Sequence, residues 1–159
     1  MAVFHPQEKQ PQNPEYWWRE SIDMFKDARK AIRAGLTRKS VCNFLHGSIE
    51  RALKAILAER GELTDADRSH SLVALATKAG LLETLPESAR LYIFEASTLH
   101  YEATYPNEDA QSHIWCDNAN YKAFLATSGK VHALLMAMRG KAGEHGGSGS
   151  VEEADANRA

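Results

Sequence analysis

The sequence predicts an all-α fold, an up-and-down antiparallel bundle of about five helices. The first observation is composition: the chain has 24 Ala and 15 Leu against 5 Val and 6 Ile, and β-branched residues lose more conformational freedom in a helix than Ala or Leu. The second is that apolar residues recur at steps of three and four in separate segments. The length of 159 residues suits a single domain.

The first two segments predict a helical hairpin. The first helix starts after Pro14 and ends at Gly35, a residue typical of helix C-termini. Thr37 then provides an N-cap for a second helix that ends at Gly61. The second helix has the strongest apolar stripe in the sequence: Val41, Phe44, Leu45, Ser48, Ile49, Ala52, Leu53, Ile56 and Leu57.

Three further helices are predicted after an acidic loop. A short one ends at Gly80, a fourth runs from Pro86 to a stop before Pro106, and a fifth starts near Asp117. Gly129 inside the fifth helix is expected to mark a close helix crossing. The stripes expected to face the core are Leu91, Phe94, Thr98 and Tyr101 in the fourth helix, and Tyr121, Phe124, Ser128, Val131, Leu135 and Met138 in the fifth.

Both ends of the chain differ in composition from the predicted bundle at 15–139. Residues 1–14 are rich in Pro, Gln and Asn, and residues 140–159 are Gly-rich and acidic, so both are expected to be flexible. No apolar run approaches the roughly 18 residues of a membrane span, and the N-terminus lacks the pattern of a secretory signal. Two cysteines are too few for a disulfide framework. We therefore expect a cytoplasmic protein with no membrane contact.

Three segments resemble the HEPN domain family, named for higher eukaryotes and prokaryotes nucleotide-binding. Residues 44–57, FLHGSIERALKAIL, are similar to its second-helix signature. His70-Ser71-Leu72, followed by Leu75, is similar to its His-x-Leu start of a short third helix. Residues 101–106, YEATYP, are similar to its Tyr-x-x-x-Arg-Tyr-Pro ending of the fourth helix, with one residue fewer between the tyrosines and Thr104 in place of the Arg. The match extends from about Tyr16 to Met138.

The resemblance implies a homodimer that is often partnered with a nucleotidyltransferase. Some relatives are metal-independent ribonucleases, whose motif is Arg, four to six residues, then His near the start of a late helix. The only pair here with this spacing is Arg139 and His145, which follows the last predicted helix and has its histidine in the Gly-rich tail. The intervening residues number seven between Arg38 and His46, nine between Arg90 and His100, and five between Arg139 and His145. The sequence therefore leaves open whether this chain is an enzyme.

The candidate ligand-binding residues are His46, Glu50 and Lys54, with Tyr101 and Tyr105. The first three are spaced i, i+4, i+8 and share one helix face. They form either a polar edge with a Glu50–Lys54 pair, or a polar groove that receives a nucleotide, an RNA or a protein partner. The two tyrosines share one face at the end of the fourth helix, where they either stack on a base or join the core.

Basic residues flank the predicted turn between the first two helices. Arg29, Lys30, Arg33, Arg38 and Lys39 occur between residues 28 and 39 with no acidic residue among them. Cations are favourable at a helix C-terminus, which accounts for the first three. The alternative is a phosphate-binding patch of Arg29, Arg33, Arg38 and Lys39. Outside the acidic tail the chain is electrically neutral, so only such a local patch would attract nucleic acid.

No motif predicts a metal or another cofactor. The sequence has no HExxH, no CxxC and no Gly-rich phosphate loop, and Cys42 is expected to be a small buried residue. We predict a HEPN-like, non-catalytic binding module, with no catalytic residues and no cofactor. The alternative is an RNase toxin-like enzyme of a toxin–antitoxin pair, neutralised by a nucleotidyltransferase antitoxin.

Overall fold

The computed structural model describes residues 9–68, 70–104 and 117–141. This part of the chain contains no strand and confirms the predicted all-α bundle. Its helices are α1 (Pro14–Arg33), α2 (Arg38–Glu59), α3 (Leu72–Lys78), α4 (Glu87–Thr104) and α5 (Asn118–Met136), with one turn of 3₁₀ helix at Asp65–Arg68. Of the segments predicted to be flexible, the structure describes 9–14 and 140–141, while 1–8 and 142–159 lie outside the described residues.

Capping residues set the helix ends at the predicted places. The Thr37 hydroxyl accepts a hydrogen bond from the Ser40 amide at 3.2 Å, which satisfies an otherwise unpaired donor of α2. The Asp117 carboxylate does the same for the first turn of α5. Gly35 follows α1 with φ +71°, a backbone conformation that side chains with a Cβ rarely adopt.

Helix α2 lies at the centre of the bundle. It contacts α1, α3, α4 and α5, and its interface with α1 is the largest between any two elements described. Residues 45–50 and 52–58 are buried on every side, as expected for a central helix. The largest fully buried side chains belong to all five helices: Trp18, Val41, Ile49, Leu53, Ile56, Leu57, Leu72, Leu75, Ile93, Leu99, Val131 and Leu135.

The predicted core face of α4 is wrong. Leu91, Phe94 and Tyr101 are 61%, 50% and 65% exposed, and Thr98 is exposed as well. Ala89, Tyr92, Ile93, Ala96 and Leu99 face the core instead. Apolar residues occupy two faces of α4, so periodicity alone did not distinguish them. Two alanines on the inner face provide the small side chains that let helices approach closely.

The predicted close crossing at Gly129 is also wrong. A Cβ at Gly129 would meet nothing within 4 Å, whereas a Cβ at Gly47 would overlap the Met24 methyl group and lie 3.0 Å from Arg51 Nη1. The tight contact is therefore between α1 and α2. The predicted α5 stripe is confirmed at Phe124, Ser128, Val131 and Leu135, which are buried.

Within the described residues, no helix combines the length and the apolar character that crossing a membrane requires.

Candidate functional site

The predicted trio on α2 does share one face, but it is buried. His46, Glu50 and Lys54 are 2%, 5% and 5% exposed. The α-helical period places them one turn apart along the side of α2, and other elements cover them. A ligand therefore cannot lie directly along this face in the structure as described.

Glu50 is the centre of the polar contacts. Its carboxylate accepts a hydrogen bond from Lys54 Nζ at 2.9 Å and lies 3.1 Å from His70 Nδ1. Burial alone would raise the pKa of Glu50, but the hydrogen bond and charge of Lys54, with a smaller effect of His70, hold it below its ordinary value. Glu50 is therefore a carboxylate whose charge is compensated inside the protein.

His46 connects α2 with α4. Its ring stacks on that of His100, with centroids 3.9 Å apart and planes 15° from parallel. Burial, and then His100, lower the pKa of His46 to about 4, while Glu50 opposes the shift. His46 Nε2 is buried and has no hydrogen-bond partner among the described residues. At neutral pH, His46 is an uncharged ring enclosed by the bundle.

Two histidines form the open rim of this group. The His70 side chain is 69% exposed, and the half-buried His100 places Nδ1 3.3 Å from Asn43 Oδ1. Their ring centroids are 6.0 Å apart. Burial, and then His70, lowers the pKa of His100. We call His46, Glu50, Lys54, His70 and His100 the histidine cluster, and His70 and His100 its rim.

The cluster differs from the predicted site in two members. His70 and His100 lie outside α2, so helix spacing on α2 does not reveal them. His70 is the first residue of the His-x-Leu segment that resembles the HEPN family. Tyr101 directly follows His100 and is 65% exposed, so it does not join the core. Tyr105 lies outside the described residues.

The basic residues near the first turn have separate local contacts. The Arg29 guanidinium lies over the Phe25 ring, 5.0 Å from its centroid. Arg38 lies 4.7 Å from the Tyr121 ring centroid and bonds the Asn118 side chain, both in α5. Arg33 and Lys39 are exposed. The phosphate-binding patch stays a prediction.

A second buried histidine lies between α1, α2 and α5. His132 Nε2 is 3.2 Å from Ser21 Oγ, and the Ser21 hydroxyl donates to the Ser48 carbonyl at 2.7 Å. The His132 ring stacks on Phe25 with centroids 4.2 Å apart. Burial, and then Arg29, lowers the pKa of His132 to about 4. Because the Ser21 proton is engaged by a carbonyl, this Ser–His pair joins helices and is not arranged for nucleophilic attack.

The described residues give little support for metal binding or for a reactive thiol. It contains no group of three or more His, Cys, Asp or Glu side chains that could hold a metal ion. The Cys42 thiol is buried, and burial, with a smaller effect of Glu95, raises its pKa to about 12. A thiol this hard to ionise is a poor nucleophile at neutral pH.

Comparison with known proteins identifies the fold family. The model of the HEPN domain family matches residues 14–138, a range that includes all five helices and the whole histidine cluster. Searches of curated proteins and of solved structures found no significant match. Because the match covers most of the sequence, the chain belongs to the HEPN domain family.

Proposed function

We propose that this HEPN domain is a non-catalytic binding module that holds a nucleotide or a segment of RNA against the rim of the histidine cluster. His70 contacts Glu50 through Nδ1, which leaves Nε2 on the far side of an exposed ring, where it can contact a phosphate. Tyr101 is an exposed aromatic side chain beside His100. Stacking of a base on such a ring is worth about 1–3 kcal/mol.

The non-catalytic proposal rests on one observation: the Glu50 carboxylate contacts both Lys54 Nζ and His70 Nδ1. It compensates the cluster's buried charges internally. In addition, the pKa values of His46 and His100 are both lowered, so both rings are neutral at pH 7. Acid–base cleavage needs a protonated group beside a neutral one. The arrangement suits holding a ligand better than transferring protons to it.

Calorimetric titration with AMP and with a single-stranded RNA oligonucleotide tests this proposal. We expect saturable binding, weakened about tenfold in His70→Ala and in Tyr101→Ala, as the loss of one contact of about 1.4 kcal/mol implies. Thr77→Ala, an exposed change on α3, is the control and should bind as the unaltered protein does. Equal affinity in all four proteins, or no binding of either probe, would contradict the proposal.

A partner surface is the second part of the proposal, and we assign it to the outer face of α4. Leu91 and Phe94 are 61% and 50% exposed there, and fully burying a large apolar side chain is worth about 1.5–3 kcal/mol. Contiguous exposed apolar residues mark interaction sites. A second copy of this chain is the proposed occupant, which gives a homodimer. A nucleotidyltransferase is the other candidate.

One observation favours the alternative of an RNase toxin-like enzyme. The rings of His70 and His100 are 6.0 Å apart, close enough for both imidazoles to contact the same phosphate. Glu50 behind His70 would then orient that ring, as carboxylates do in acid–base sites. Either function is proposed for the cytoplasm, where a free thiol such as that of Cys42 is stable.

A further inference from the structure

The segment before α1 is attached to the loop that leads to the histidine cluster. Gln10 is only 6% exposed. Its backbone amide donates to Asp65 Oδ1 at 2.9 Å, and its side-chain amide donates to the Thr64 carbonyl at 2.8 Å. Because both its backbone amide and its side-chain amide are hydrogen-bonded, the buried Gln10 is held in one orientation.

The next residue holds a different side of the cluster. The Pro11 carbonyl accepts a hydrogen bond from Trp17 Nε1 at 2.8 Å. The Trp17 ring in turn covers Lys54, with Nζ 5.0 Å from the ring centroid. An ammonium over an indole face is electrostatically favourable. Pro11 therefore fixes the ring that separates Lys54 from solvent.

Gln10 and Pro11 thus act on the surroundings of both residues that contact Glu50. Pro11 holds Trp17, which covers Lys54. Gln10 holds Thr64 and Asp65, in the loop that continues to His70. We call Gln10–Pro11 the strap. The described residues before α1 are Lys9, Gln10, Pro11, Gln12 and Asn13, with no large apolar side chain among them. The strap is held by a few hydrogen bonds, so it belongs to the part of the fold that opens most easily.

We propose that the strap is a latch on Lys54. When docked, it keeps the ammonium covered and paired with Glu50. When it detaches, Trp17 loses its acceptor, and Lys54 becomes available to a phosphate of the nucleotide or RNA; this last point rests on the function proposed above. Strap docking and phosphate binding to Lys54 then oppose each other, and by linkage each weakens the other by the same factor.

Native-state acylation of lysines, with Lys54 quantified by mass spectrometry, tests the latch without a ligand. Gln10→Ala and Asp65→Ala each remove one strap hydrogen bond and should each speed Lys54 labelling about fivefold, the factor that corresponds to about 1 kcal/mol. Glu62→Ala, an exposed change in the same loop that also removes one negative charge, should leave the rate unchanged. Labelling of the buried Cys42 thiol reports global opening and should stay unchanged in all variants.

Titration with inorganic phosphate and with AMP tests the coupling. Both strap variants should bind phosphate about fivefold more tightly, and adding Lys54→Met should abolish that gain. Lys54 labelling that does not exceed that of Glu62→Ala, or that rises only together with Cys42 labelling, would overturn the latch. A gain in phosphate affinity that survives Lys54→Met would overturn the role of Lys54. Should phosphate show the Lys54-dependent gain while AMP and RNA fail to bind, the latch stands and the nucleotide proposal fails.

Discussion

The rings of His46 and His100 stack 3.9 Å apart and join the central helix α2 to α4. Such a contact is destabilised when both rings are protonated, because two imidazolium ions in contact repel each other. The same contact places His100 at the surface with His70, beside the exposed Tyr101. One pair of residues therefore connects the stability of the bundle with its candidate binding surface.

The first prediction concerns acid. An unfolded histidine takes up a proton near pH 6.5, whereas His46 and His132 in the folded protein do so only near pH 4. Because the pKa values of these two histidines are lower in the folded protein, the unfolded state binds more protons between about pH 4 and pH 6.5. Their contribution to stability is therefore full above about pH 6.5 and is lost as the pH drops towards 4. We expect a loss of about 1 kcal/mol per pH unit for each group.

Urea unfolding at pH 7.5, 5.5 and 4.5 measures this dependence. His46→Phe keeps an aromatic ring against His100 but cannot be protonated, so its stability should fall with a shallower slope than that of the unaltered protein. Thr77→Ala should show the unaltered slope. An unfolding free energy that stays constant between pH 7.5 and 4.5 would be incompatible with buried, neutral histidines.

The second prediction concerns the buried ion pair. Lys54→Met leaves the Glu50 carboxylate buried and without its main counter-charge, so we expect a loss of about 3–5 kcal/mol in the free energy of unfolding. The double variant Glu50→Gln, Lys54→Met should lose less than Lys54→Met alone, because no charge then remains buried. Denaturant titration of the two proteins gives the comparison.

Lys30→Ala is the control for that experiment. Lys30 pairs with Asp27 at 3.8 Å, and both side chains are exposed, so the change should cost less than about 1 kcal/mol. If Lys54→Met proved as mild as Lys30→Ala, the Glu50–Lys54 pair would not be the organising contact of the cluster.

The third prediction separates the two faces of α4. Leu91→Ser with Phe94→Ser should convert a homodimer into a monomer and should lower the free energy of unfolding of the isolated chain less than a change on the buried face does, because half or more of each side chain is exposed in it. Ile93→Ala, on the buried face, should cost about 2–5 kcal/mol. Light scattering after size-exclusion chromatography reads the assembly state. A dimer that persists in the double serine variant would place the interface elsewhere.

The fourth prediction compares two helical glycines. Gly129→Ala meets nothing within 4 Å, so it should stabilise the protein by about 1 kcal/mol through helix propensity. Gly47→Ala would displace the Met24 methyl group and the Arg51 guanidinium, both at the ends of flexible side chains, so part of the same gain should be lost to this rearrangement. Thermal unfolding should therefore show a smaller rise in melting temperature for Gly47→Ala than for Gly129→Ala, and Met24→Ala in the background should remove the difference. A rise for Gly47→Ala that equals or exceeds the rise for Gly129→Ala would contradict the close contact.

Local signals were enough to predict most of the fold. Thr37 and Asp117 are read from the sequence as caps because their side chains bond neighbouring amides, and the α5 stripe follows from a single apolar face. The predicted core face of α4 was wrong because Ile93 and Phe94 are adjacent, similarly apolar and on different faces of the helix. Only the shape of the surrounding bundle decides which face packs inside.

Of the histidine cluster, the sequence predicted only the residues that lie on a single helix, α2. His46, Glu50 and Lys54 share a face of α2 because of the helical period. Their burial, and their contacts with His70 and His100, depend on how other elements pack. The strap was missed for the same reason: Gln10 lies in a stretch whose composition indicates flexibility, and its partners, Thr64 and Asp65, are more than fifty residues away.

Incubation of the purified protein with single-stranded RNA, without metal and at neutral pH, is the most direct test of whether the histidine cluster holds RNA without cutting it. Binding is read by fluorescence anisotropy, and the RNA is then run on a denaturing gel. We predict saturable binding that weakens in His70→Ala, with the RNA recovered at full length. Cleavage that disappears in His70→Ala or His100→Ala would contradict the account and identify the rim as a ribonuclease site.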